Sequence, residues 1–153
     1  MKILIILSPL LMIPFLLSLS PESPASQPIQ EPAQEEEVGP LEERMLVLKR
    51  GMRSLRRSLK DPEKDAASLE IATEMAAAVG QGKILPPPMI EAIPEEKRAD
   101  FLLEYRKSMV SMQMELLKLE MGLLEGDREA AKASYESLKE MEDAGHERFT
   151  EDG

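Results

Sequence analysis

The chain has 153 residues and a formal net charge of -10, with 29 acidic against 19 basic side chains. Such an excess of carboxylates repels phosphate backbones, which excludes nucleic acid as a partner held by charge neutralisation. There is no cysteine, so disulfides, thiolate metal sites, cysteine nucleophiles and covalent haem attachment through Cys-x-x-Cys-His are excluded.

Residues 1–25 carry the pattern of an export signal. Lys2 is a short positive start, an apolar run extends from Ile3 to Leu17, and Ser23-Pro24-Ala25 offers a small-x-small cleavage site. An uncleaved membrane anchor is the alternative, but the run is short for a span and is broken by Pro9 and Pro14. Export to a Gram-negative periplasm is expected, with no stable membrane association after cleavage. Residues 26–40 contain Pro28, Pro32, Pro40 and the run Glu35-Glu36-Glu37. This composition predicts a disordered, solvated linker.

The remainder, residues 41–150, is rich in Ala, Leu, Glu, Lys and Met and poor in aromatics, which argues for an all-α domain. A first helix is predicted over about 41–59, because Leu41, Met45, Leu48, Met52, Leu55 and Leu59 step by 4, 3, 4, 3, 4. A second is expected from Pro62 to Val79, with Asp61 as N-cap, Pro62 in the first position, and Gly80 and Gly82 ending it. The segment Ile84-Leu85-Pro86-Pro87-Pro88-Met89-Ile90 predicts a stiff extended crossing over an apolar end of the domain.

A third helix is predicted from Pro94-Glu95 to Glu125, with an inward stripe of Leu102, Tyr105, Met109, Met112, Leu116, Leu119 and Leu123. Gly126-Asp127 supplies a stop and a new N-cap. The fourth runs from about Arg128 to Phe149, with a thinner stripe of Ala131, Tyr135, Leu138, Gly145 and Phe149. Four stripes joined by short first and third connections predict an antiparallel, up-down-up-down four-helix bundle. The stripes are expected to be used up by one another, which predicts a monomer.

His146 is the only histidine, and imidazole is the commonest protein ligand for iron. In such a bundle His146 and Met45 share one end. Each lies about four residues inside its helix, or some 6 Å deep. His146 projects about 60° from the centre of the fourth stripe, entering the core from its flank. Met75, Val79, Pro87, Phe101, Tyr105 and Phe149 arrive at the same end, and Gly145 leaves room beside the imidazole. Leu48 of the first stripe and Leu138 of the fourth are further candidates for contact with a bound ligand. Together they predict a pocket for a flat, apolar ligand such as a porphyrin. Taken singly, a histidine in a last helical turn is favoured by the macrodipole and needs no ligand. Methionine fills cores without any metal.

The region from Leu41 to Phe149 resembles the cytochrome b562 family of periplasmic four-helix-bundle haem proteins. The residues that carry the resemblance are Leu41-Glu42-Glu43-Arg44-Met45, Pro87-Pro88-Met89-Ile90-Glu91, Asp100-Phe101-x-x-x-Tyr105, and Leu138-Lys139 followed by Ala144-Gly145-His146-Glu147-Arg148-Phe149. The resemblance implies one non-covalent b-type haem per chain, with Met45 and His146 as axial ligands and Phe101 and Tyr105 packed on the porphyrin. Two positions depart from the family's pattern. Glu142 stands where the best-known member has an arginine, and Gly80 where it has a larger apolar residue.

The expected function is a soluble one-electron carrier that meets an unidentified redox partner, for which the acidic chain suits a basic surface. With both axial positions filled there is no open coordination site, and no nucleophile or phosphate loop is present, so an enzyme is not expected. Two alternatives remain open. The run Met109-x-x-Met112-x-Met114 could bind Cu(I) through thioethers, although 3/4 spacing explains Met109 and Met112 as core. A haem-free helical interaction or stress-adaptor module would need an exposed apolar face.

Overall fold

A computed structural model describes residues 39–150 and shows an all-helical chain. The four α-helices are α1 (Pro40–Ser58), α2 (Asp65–Gly82), α3 (Glu95–Glu125) and α4 (Arg128–Phe149), with no strand among the described residues. The expected export signal, and the expected linker up to residue 38, lie outside the described residues. No described helix is long and apolar enough to cross a membrane.

Helix α1 begins one residue earlier than the stripe suggests, because Pro40 takes the first helical turn, where its missing N–H costs nothing. Glu42 and Glu43 at its start and Arg56 and Arg57 at its end complement the helix dipole. The start of α2 differs from expectation. Asp61 does cap, accepting from the Glu63 N–H at 3.1 Å. However, Pro62–Lys64 forms a separate 3-10 turn, and the α-helix begins only at Asp65. Nor do Gly80 and Gly82 stop it at Val79; α2 continues to Gly82. The cause is packing at Gly82, where a Cβ would stand 3.1 Å from Met109 Cε, 3.3 Å from Met45 Cε and 3.4 Å from Leu41 Cδ1. The helix is carried on because the absent side chain lets α1 and α3 close over its last turn.

The proline segment is not fully extended. Pro87 is extended (φ -70°, ψ 149°), but Pro88–Ala92 makes a 3-10 turn. Proline satisfies the fixed φ of such a turn without losing a needed donor. Arg98 of α3 pins the turn, donating to the Ile93 carbonyl at 2.9 Å and the Glu91 carbonyl at 3.3 Å. Pro87 is fully buried, as a covering role requires, while Ile84 is 69% exposed. The α3–α4 turn follows its chemistry closely. Gly126 adopts φ 74°, the left-handed conformation that closes a helix, and the Asp127 carboxylate accepts from the Ala130 N–H at 3.0 Å.

Helices adjacent in sequence pack on one another, whereas α1 and α4 barely meet. Where they do, the start of α4 lies against the end of α1. Arg128 pairs with Asp65 and donates to the Leu59 carbonyl at 2.8 Å, and the Tyr135 hydroxyl donates to the Met52 carbonyl at 3.4 Å. Leu55, Leu59, Ala72, Leu116, Leu119, Leu123 and Ala131 fill this half with tightly buried side chains. Its buried hydroxyls are matched, Ser68 donating to Ser58 at 2.8 Å. No buried side-chain donor or acceptor among the described residues lacks a partner.

Two expectations for α3 are corrected. Leu102 is 36% exposed and not in the core; Phe101 packs inward in its place, because its ring meets Phe149 edge-on at 5.4 Å. The apolar stripes are also not all consumed. Leu103, Val110, Met114, Leu117, Met121 and Leu124 form a second line along α3, between 39% and 62% exposed, and no described residue covers it.

Candidate functional site

The other half of the domain is less closed. Between α1 and α4 opens a cavity of about 1100 Å³, at the upper end for a cofactor-sized ligand. Helix α1 contributes Leu41, Met45, Leu48 and Met52 to its lining. These occupy successive steps of one helical stripe, so a single face of α1 forms one wall. Helix α4 contributes Leu138, Met141, Glu142, Gly145, His146 and Phe149. Met75 of α2, Pro87 and Pro88 of the loop, and Tyr105, Met109 and Met112 of α3 add to it, and Ser108, Ser111, Thr150 and several charged side chains give it a polar margin.

Nine of the eleven expected site residues therefore line one cavity: Met45, Leu48, Met75, Pro87, Tyr105, Leu138, Glu142, His146 and Phe149. Two do not. Val79 is wholly buried in the core, and Phe101 stands behind Phe149 as its edge-on partner. Both sit one layer back, because the cavity's end wall is made by Phe149 and Tyr105, whose rings meet at 5.4 Å. Sequence reasoning overlooked Leu41, Met52, Met109, Met112 and Met141 as lining. Each lies on a 3/4 stripe that also reads as plain core.

Met45 is half-buried, with its methyl group directed towards the small-residue end of α2 at Gly82. His146 does not enter the core; it is exposed at the cavity mouth, in the last turn of α4. The space next to it is open, since a Cβ on Gly145 would meet nothing within 4 Å. The charged side chains lining the cavity are three basic, Lys49, Lys107 and Arg148, and three acidic, Glu42, Glu142 and Glu147. Arg148 pairs with Glu104 and also lies over the Phe149 ring, 5.9 Å from its centroid. Arg44 is paired with Glu43 at 3.4 Å and does not line the cavity.

Tyr105 is the buried polar group of the site. Its hydroxyl donates to the Gly82 carbonyl at 3.2 Å, tying α3 to the last turn of α2. Burial pushes its pKa up from 10.0 to about 12, because the phenolate would lose its hydration. Between these values the unfolded chain releases a proton that the folded chain keeps. Stability is therefore intact below pH 10 and falls by about 1.4 kcal/mol per pH unit as the pH rises towards 12. Ultraviolet titration of tyrosinate should show a late step coincident with alkaline loss of helix. A Tyr105 that ionised near 10 with the helices intact would contradict this burial.

The Met-x-x-Met-x-Met run is divided by the fold: Met109 and Met112 face the cavity, whereas Met114 is 57% exposed and does not line it. Among the described residues, no three histidine, aspartate or glutamate side chains gather in a way that could hold a bare metal ion. What the cavity offers is a largely apolar space lined by one imidazole, from α4, and by six thioethers, Met45 of α1 among them. Compared with family models, with characterised proteins and with solved structures, the chain gives no significant match.

Proposed function

We propose that the chain is an exported one-electron carrier that holds one non-covalent b-type haem between Met45 and His146. The observation that supports this best is that these two residues, a hundred positions apart in sequence, line one cavity, Met45 from α1 and His146 from α4. The antiparallel up-down-up-down bundle fits the same reading, since it brings the first turns of α1 and the last turns of α4 to one end. So does the resemblance of the motifs around Met45, Pro87, Tyr105 and His146 to those of the cytochrome b562 family.

The lining residues fit the group. The cavity is large enough, its lining is mainly aliphatic, methionine and aromatic side chains, and the open space at Gly145 leaves a flat ring room beside the imidazole. Met45 Sδ and a ring nitrogen of His146 would hold the iron from either side. Phe149 and Tyr105 would close one end and Leu48, Met75, Pro87 and Leu138 the rest, excluding water. Lys49, Lys107 and Arg148 are the cations at hand for two propionates. Glu142 would stabilise a positive centre nearby and hence its oxidised state. When bound, a haem with both axial positions taken accepts and returns one electron and has no vacant site for oxygen. The acidic chain, at a net charge of -10, would steer towards a basic redox partner in the periplasm.

Titration with haemin tests this directly. One equivalent should saturate the chain, and dithionite should then give a sharp Soret band with resolved α and β bands. A broad spectrum of unbound haemin at every ratio rejects the proposal. A second reading has one observation in its favour: six methionines, Met45, Met52, Met75, Met109, Met112 and Met141, line the same cavity. Soft thioethers suit Cu(I). Competition with a chromogenic Cu(I) chelator separates the two readings.

A further inference from the structure

We infer that the outer stripe of α3 is the contact between two copies of this chain, paired antiparallel about a two-fold axis near Met114 and Leu117. The apolar contact is independent of the haem proposal, because none of the six exposed stripe residues lines the cavity; Lys107, which borders both, is the one side chain they share.

The spacing specifies the kind of occupant. Val110, Met114, Leu117, Met121 and Leu124 step by 4, 3, 4, 3, the repeat that seats a second helix. The six exposed side chains, with Leu103, present on the order of 600 Å² of apolar surface, at the limit for a patch left open on a monomer. With their flanks they approach the roughly 800 Å² that each partner contributes to a stable interface.

Charge favours a second copy. The chain as a whole is strongly acidic, yet between Leu102 and Leu124 three acidic residues (Glu104, Glu115, Glu120) balance three basic ones (Arg106, Lys107, Lys118). This is a segment where two acidic molecules can approach without net repulsion. Lys107 fixes the direction. It occupies the stripe position between Leu103 and Val110, and a parallel pair would set two Lys107 ammonium groups against each other. An antiparallel pair centred between Met114 and Leu117 instead places Arg106 and Lys107 beside Glu125 of the second copy. That is the negative end of the facing helix, where cations are favoured. Two identical patches related by a two-fold axis form a closed, self-complementary interface.

Sedimentation velocity of the purified chain at about 100 µM, well above the Kd expected for an interface of standard size, should give a dimer. Met114→Glu combined with Leu117→Glu should raise the dissociation constant by at least about tenfold. Helical circular dichroism should be unchanged, since both side chains are already more than half exposed. Leu117→Gln serves as a milder variant if the double charge perturbs folding. The absence of native cysteine allows direction to be read by cross-linking. Val110→Cys mixed with Met121→Cys should form a disulfide-linked heterodimer, whereas Leu124→Cys alone should not cross-link. A monomer at this concentration overturns the inference, whether the face is then covered by the chain's own N-terminal apolar segment or binds zwitterionic vesicles. A dimer indifferent to the stripe variants, or one that cross-links readily through Leu124→Cys alone, overturns it equally.

Discussion

Replacing either Met45 or His146 by Ala should abolish the low-spin, six-coordinate spectrum of the haemin-loaded chain. The two losses should differ. The thioether is a weak, soft ligand, so Met45→Ala is expected to retain haem in a five-coordinate, high-spin form held by the imidazole. The imidazole is the stronger ligand, and the chain has no second histidine to replace it. His146→Ala should therefore weaken binding by more than about a hundredfold, beyond the 10- to 100-fold cost of losing an outer-shell partner of a ligand. Met52→Ala is the control. Met52 lines the same cavity on the same stripe, but lies seven residues along α1, about 10 Å deeper. Its truncation should leave the low-spin spectrum intact. Unchanged low-spin spectra in both ligand variants, or loss of the low-spin form in Met52→Ala, would reject the assignment. The exposure of His146 in the ligand-free chain gives a second readout. Its imidazole should react readily with diethyl pyrocarbonate in the absence of haemin and become protected once haemin is bound.

That Met45 and His146 border a common cavity follows from helix length and turn chemistry; that His146 stays exposed at its mouth does not, because a side chain about 60° off the stripe can turn to the core or to solvent. Gly126-Asp127 marks the α3–α4 turn without ambiguity, as left-handed φ and a side-chain cap have few other uses. Once both helix ends are fixed, depth follows from the rise per residue. Other features were not legible, for identifiable reasons. Asp61-Pro62 starts a helix equally well as a 3-10 turn or as an α-turn, and local spacing does not choose between them; Asp65, where the α-helix begins, is paired with Arg128 of α4, 63 residues away. Gly80 and Gly82 look like a stop; that α2 runs on to Gly82 depends on Met45, Leu41 and Met109 closing over it. Helix α3 misled most. It carries two interleaved apolar lines, and spacing alone cannot say which faces inward. Phe101 and Leu102 are adjacent, and the edge-on contact with Phe149 decides between them. The same ambiguity concealed the outer stripe, which reads as surplus hydrophobicity until the inner line is seen to be complete.

The division of the domain into a filled half and a less closed half predicts two kinds of leucine. Leu116 is fully buried and does not line the cavity. Leu116→Ala should destabilise the ligand-free chain by about 3 kcal/mol, the lost transfer energy plus the cost of a void that rigid neighbours cannot close. That is a large part of the 5–15 kcal/mol by which domains are stable. Leu48 is buried to a similar degree, at 7% exposure, but borders the cavity. Its truncation only enlarges a space that already exists, so Leu48→Ala should cost the ligand-free chain about 1 kcal/mol, close to the smaller end for removing buried methylenes. Ligand reverses the order of interest. A group that binds only the folded chain stabilises it by RT ln(1 + [L]/Kd). Leu116→Ala should keep that full increment, whereas Leu48→Ala, which removes part of the wall beside Met45, should lose much of it. Urea unfolding of the two variants with and without haemin measures all four quantities. Equal destabilisation of the ligand-free chain by both would mean that the less closed half is packed as tightly as the filled one, and that the space between α1 and α4 is not a preformed site.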